Sequence, residues 1–212
     1  MKKSNLVIIT IFILFNNFIF LNLQSKITNY IVVKVGESLV TSMDVENEII
    51  TNLVINKQEI SQQNINKIKD FAVKNLIMKS IKRSEINKYE ITRYNKKDLK
   101  NYINKIALSF NTDQKGLKKV FEQYKIDYPQ FVKNYETELL WNTLIFTLYR
   151  NQTNVNIIEV KNEVLSKGGG KNEEELKKIR ETIINKKKEE KLSLFSRSHF
   201  SNLENSISII FQ

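Results

Sequence analysis

Between Ile31 and Val164 the chain carries one pair of short β-branched runs about a tight turn, and after it only segments whose apolar residues recur at helical spacing. That pattern allows a single small hairpin and otherwise helices, because a strand repeats every second residue and a helix about every 3.6. The runs are Ile31-Val32-Val33-Lys34-Val35 and Ser38-Leu39-Val40-Thr41, joined by Gly36-Glu37. Ser42 then stands where an N-cap is wanted, with Asp44 and Glu46 in the first turn of a helix expected from about Met43 to Asn56. The next helix, roughly Gln63 to Asn87, has Ile65, Ile68, Ala72 and Leu76 on one stripe with Phe71, Ile77 and Ile81 beside it. So wide an apolar face predicts a central helix contacted from two sides.

Leu99, Ile103, Ile106, Ala107 and Phe110 form a one-sided stripe, as do Leu117, Val120, Phe121 and Tyr124, and Asn111-Thr112-Asp113 between them offers cap chemistry for a helical hairpin. At Asp127-Tyr128-Pro129-Gln130, Asp127 can cap, the single proline falls in the first turn, and Gln130 can bond back to the cap. This helix should reach about Asn151, burying Phe131, Tyr135, Leu139, Leu140, Leu144 and Leu148. After Val155-Asn156-Ile157 a last turn leads to Lys167, and Gly168-Gly169-Gly170 is a break or linker, since each glycine costs about 1 kcal/mol in a helix relative to alanine. A final helix from Glu173 to about Lys191, with Leu176, Ile179, Ile183 and Ile184 inward, is expected to pack on the Gln63–Asn87 helix. The closing run Ser206 to Phe211 reads as a strand that should pair with Ile31 to Val35, because isolated strands are marginal.

Ahead of this core, Met1-Lys2-Lys3-Ser4 followed by the apolar stretch Leu6 to Leu23 reads as an export signal over residues 1–25, cleaved after Ser25 or retained as an uncleaved inner-membrane anchor. Residues 26–212 are enough for one domain with a packed apolar core, and that core must stand without disulfides because the chain has no cysteine. The net charge of +11 invites a nucleic-acid reading. The lysines, however, are spread over the polar faces of nearly every helix among Glu and Asp, which is the pattern of solvated faces, and no nucleic acid is expected as a partner. Gly168-Gly169-Gly170-Lys171 is no phosphate loop: position 165 is Leu and position 172 Asn, where glycine and a hydroxyl residue are required. With His199 the sole histidine, no metal site or Ser-His-Asp set is expected, and His199 reads as a surface or hinge residue. No cofactor is expected.

The string Ile31-Val32-Val33-Lys34-Val35-Gly36-Glu37-Ser38-Leu39-Val40-Thr41-Ser42-Met43-Asp44-Val45 resembles the opening of the SurA family of periplasmic chaperones, where a hairpin leads into the first helix. Leu76-Ile77 to Ile81 with Tyr89-Glu90-Ile91-Thr92, then Tyr128-Pro129-Gln130-Phe131 with Glu138-Leu139-Leu140, and finally Ile179 to Phe211 are similar to later helices and the C-terminal strand of those proteins. The resemblance implies a mainly α, multi-helix fold of the trigger-factor/SurA peptide-binding kind, with a small β-hairpin paired to a C-terminal strand. SurA-like proteins usually insert parvulin domains before the last helix; here residues 166–173 hold that place, so no prolyl isomerase activity, and no enzyme, is expected.

What the resemblance implies is an ATP-independent holdase of the periplasm, shielding unfolded outer-membrane proteins on their way to the outer-membrane assembly machinery. A membrane-anchored foldase or scaffold related to parvulin-type isomerases is the alternative, touching the membrane only through the N-terminal segment. Candidate client contacts are Tyr124, Tyr128, Phe131, Tyr135 and Trp141, since aromatics with a polar tip suit a half-wet recognition surface, although each also suits core packing.

Overall fold

The computed structural model describes residues 29–212, so the expected export segment and its cleavage point lie outside the described residues. Strands β1 (Ile31–Val35) and β2 (Ser38–Thr41) form the expected hairpin. Gly36, at φ 55°, takes the first central position of its two-residue turn, where a side chain would be strained. Seven helices follow: α1 (Ser42–Ile55), α2 (Gln62–Lys88), α3 (Lys96–Ser109), α4 (Gln114–Gln123), α5 (Tyr128–Tyr149), α6 (Ile157–Lys167) and α7 (Glu173–Ser206). Strand β3 (Ile209–Phe211) pairs antiparallel with the free edge of β1, giving the order β2-β1-β3 with Val35 opposite Ile209 and Val33 opposite Phe211. The fold is mainly helical with one small antiparallel sheet, and the C-terminal strand pairs with β1 as expected, though it begins at Ile209 because Ser206, expected to open it, still belongs to α7.

The helix starts follow local chemistry. Thr41, not Ser42, caps α1: its hydroxyl accepts from the Asp44 N–H at 3.3 Å while the Asp44 carboxylate accepts from the Thr41 N–H at 2.8 Å, a reciprocal box. Ser42 falls inside the first turn, its hydroxyl accepting from the Tyr30 N–H. Asp127 caps α5 by accepting from the Gln130 N–H at 2.9 Å, but the Gln130 side chain reaches forward to Asn134 instead of back to the cap. Asp113 caps α4 and Asn172 caps α7.

The sheet lies against α1 and α2, burying Val33, Val35, Val40, Ile49, Leu53 and Ile81, and the end of α7 completes this cluster with Phe200, Leu203 and Ile207. A second cluster joins α1, α3, α4 and the start of α5 around Phe121, Leu117 and Phe131. Helix α2 is central and touched from two sides, by α1 and by α5, and its fully buried positions begin at Ala72. Phe71 is exposed, while Ile65 and Ile68 are half-buried and pack against the cluster under the sheet.

The last helix departs from expectation in length and in partner. It continues to Ser206 because Leu192, Phe195, Phe200 and Leu203 extend its apolar face onto α5 and α2. Its first half does not pack on α2. Leu176, Ile179, Ile183 and Ile184 meet Val160 and Val164 of α6, so α6 and α7 form their own helical hairpin. Gly168 is the close approach in its turn, where a Cβ would stand 2.3 Å from Leu176 Cδ2 and 2.7 Å from the Val164 carbonyl oxygen. The glycine run is a tight turn, not a slack linker.

Candidate functional site

A cleft of about 330 Å³ opens where α1, α2, α3 and α5 converge. At its floor the Glu48 carboxylate of α1 receives the Lys79 ammonium of α2 on both oxygens at 2.8 Å, with both side chains almost fully buried. Two buried charges are costly to desolvate, and such a pair survives only when further hydrogen bonds complete it. Asn75 donates to Glu48 Oε1 and Asn134 to Oε2, and Arg83 in turn donates to Asn134 Oδ1 at 2.6 Å and to Thr137 Oγ1 at 3.2 Å. Burial pulls the Arg83 guanidinium below its ordinary value against the opposing pull of Asp44 and Glu48, and it remains charged. This network ties α1, α2 and α5 together and fixes the positions of the side chains above it.

One wall is aromatic. Tyr102 of α3 lies flat on Tyr135 of α5, ring centroids 3.5 Å apart and 5° from parallel, with Phe131 beside Tyr102 at 6.0 Å. Burial raises the pKa of both phenols, so they stay protonated through the physiological range. The rest of the lining is largely polar: Asn52 and Asn56 of α1, Asn75 of α2 and Asn134 of α5 line the cleft. Thr51 lines it too, 9% exposed, and its hydroxyl has no protein partner among the described residues. A flat aromatic wall with carboxamides and an unpartnered hydroxyl suits a ligand with both apolar faces and amide groups, which is the chemistry of an extended peptide.

Of the five candidate aromatics, Phe131 and Tyr135 line this cleft. Tyr124, 46% exposed, belongs to a different groove with Val54, Ile60 and Phe110. Tyr128 packs edge-on against Phe121 with the Lys118 ammonium 5.2 Å over its ring. Trp141 has to be withdrawn as a contact. It is 2% exposed, its Nε1–H donates to Ser196 Oγ at 2.8 Å, and Phe200 meets it edge-on, so it is the core of the α5–α7 interface. The aromatics therefore do not share one surface. Leu139, Leu140 and Leu148, expected in the core, are only half-buried, while Ile145 and Thr137 are buried in their stead.

His199 is no hinge residue either. Its Nε2–H points at the Glu85 carboxylate, 3.2 Å away, and Nδ1 accepts from the Tyr149 hydroxyl at 2.8 Å, an orientation set by the carboxylate needing a donor. The sequence reading missed Thr51, Asn75, Lys79, Tyr102 and Asn134. One signal was present: Asn75 and Lys79, one helical turn apart, stand immediately beside the buried Leu76 and Ser80. No protein-family model matches this sequence, and no curated protein matches it.

Proposed function

We propose that the chain is an ATP-independent periplasmic chaperone that binds unfolded outer-membrane proteins in the α1–α2–α3–α5 cleft and releases them to the assembly machinery. The observation that carries this reading is the pairing, in one cleft, of the Tyr102–Tyr135–Phe131 wall with four carboxamides and the unpartnered Thr51 hydroxyl. Alternating aromatic side chains of a client lie on the wall, and its peptide groups meet the carboxamides of Asn52, Asn56 and Asn75. Release without nucleotide requires weak binding. An aromatic contact is worth about 0.5–1.5 kcal/mol beyond its area and a neutral hydrogen bond about 0.5–1.5 kcal/mol net. A handful of each is partly offset by ordering the client, which keeps the complex reversible. The order of hairpin, helices and returning strand supports this reading.

The test is suppression of aggregation of an unfolded outer-membrane β-barrel without ATP, at low and high salt, by the mature protein and by Tyr135→Ala and Asn134→Ala. Suppression that survives high salt and weakens in both variants supports the proposal. Because the chain is strongly basic, suppression that vanishes in high salt and ignores both substitutions means charge attraction to acidic clients and refutes it.

A further inference from the structure

The α6–α7 hairpin stands apart from the cleft and carries a second concavity, about 360 Å³, whose composition differs in kind. Its floor is aliphatic, formed by Val155, Val160 and Ile184, and its rim holds Lys161, Arg180 and Lys188 with no carboxylate among the lining residues. Asn154, also in the lining, accepts from the Lys191 ammonium through its carbonyl. The nearest acids on α6 are engaged elsewhere: Glu159 and Glu163 face Lys187 at 3.6 and 3.5 Å, and Glu163 also accepts from Lys167 at 2.7 Å. At the lip, where α6 begins, Ile157 is 82% exposed and Ile158 follows at 70%. Two adjacent isoleucines are exposed beside three cations that have no ion-pair partner among the described residues, and neither belongs to the cluster of Val160, Val164 and Ile183 that holds the hairpin together.

We propose that this corner of the hairpin docks on an anionic membrane surface, with Ile157 and Ile158 entering the boundary between headgroups and acyl chains while Lys161, Arg180 and Lys188 hold lipid phosphates. Charge complementarity selects this occupant. The rim demands anions, the floor and lip demand aliphatic chains, and an anionic phospholipid layer offers both at the spacing of a long lysine or arginine side chain. The groove has no aromatic in its lining, unlike the cleft proposed for clients, so the two surfaces ask for different partners. Three cations near an anionic leaflet give a preference over a neutral one of roughly a hundredfold at low ionic strength. This assignment does not depend on what the cleft binds.

The absence of cysteine makes the test clean. In the full chain, Ile158→Cys takes a single environment-sensitive fluorophore, and Leu108→Cys, 70% exposed on α3, takes the same probe as a control. Vesicles of phosphatidylglycerol with phosphatidylcholine should blue-shift the probe at position 158 and leave that at 108 unchanged. Pure phosphatidylcholine should require roughly a hundredfold more lipid for the same shift. Adding Arg180→Glu and Lys188→Glu, both at exposed positions, should abolish the difference between the two vesicle types without altering the melting temperature. Equal response of both probes, equal response to both lipids, or a response untouched by charge reversal overturns the proposal. So does a blue shift present before lipid is added, which would put another segment or a second copy over the groove. A shift produced by an acidic unfolded polypeptide but not by vesicles overturns it as well, and assigns the groove to clients.

Discussion

Thr→Val at two buried positions should move stability in opposite directions. Thr51 and Thr137 are both helical, at 9% and 3% exposure, and valine replaces each hydroxyl by a methyl group of nearly the same size. Helix propensities of threonine and valine are close, so the backbone contribution cancels between the two experiments. At Thr51 the hydroxyl has no protein partner among the described residues, and removing it relieves desolvation worth about 1–3 kcal/mol. At Thr137 the hydroxyl donates to the Lys133 carbonyl at 2.9 Å and accepts from Arg83 Nε at 3.2 Å, so the same change leaves a partly buried guanidinium short of an acceptor and costs about 1–3 kcal/mol. For a domain of this size each kcal/mol moves Tm by about 2–4 °C. Thr51→Val should therefore melt higher than the parent and Thr137→Val lower, by several degrees each, in thermal unfolding followed by circular dichroism. If the cleft holds peptide, Thr51→Val should also suppress aggregation less well despite being more stable. Two shifts of the same sign would refute the reasoning, as would a Thr51→Val protein that is stabilised yet fully active.

Trp141→Ala should cost about 3–5 kcal/mol in denaturant unfolding, because the ring is fully enclosed and its N–H is bonded, yet activity per folded molecule should stay the same. Gly168→Ala should destabilise the α6–α7 hairpin, where the new methyl meets Leu176 and a carbonyl, while Gly169→Ala, with open space around it, should be neutral; hydrogen exchange in α6 reads the difference. Tyr94 donates to Glu136 at 2.5 Å, and burial first, then that bond and charge, push its phenol up to about 12. Its folded pKa exceeds the unfolded value, so the stability it contributes is complete below about 10 and is lost as pH rises through about 12. Phenolate absorbance should show the latest-titrating group disappear in Tyr94→Phe.

The hairpin, the helix order and the β1–β3 pairing were legible because each is written locally, in β-branched runs, caps and periodic stripes. Partner choice was not. Leu176, Ile179, Ile183 and Ile184 announce an inward face for α7 but carry nothing that distinguishes α2 from α6, and the short glycine turn decides for the neighbour in sequence. Trp141 and Tyr135 look alike as amphipathic aromatics on one helix; only the position of α7 buries the first and leaves the second at a cleft. The polar floor left only a weak trace, at Asn75 and Lys79, for a simpler reason. Glu48, Lys79 and Asn134 come from three helices, and none interrupts its own stripe strongly enough to announce a site.

The returning strand has a consequence for how the molecule is made. Because β3 supplies the outer neighbour of β1, and Phe200, Leu203 and Ile207 complete the cluster beneath the sheet, the first-synthesised part of the described fold cannot close until nearly the last part has arrived. A chain emerging hairpin first carries an open β1 edge throughout its passage, and such an edge is a template for other strands. In the finished fold Ile209–Phe211 covers that edge, so removing β3 should leave β1 open to strands of other molecules.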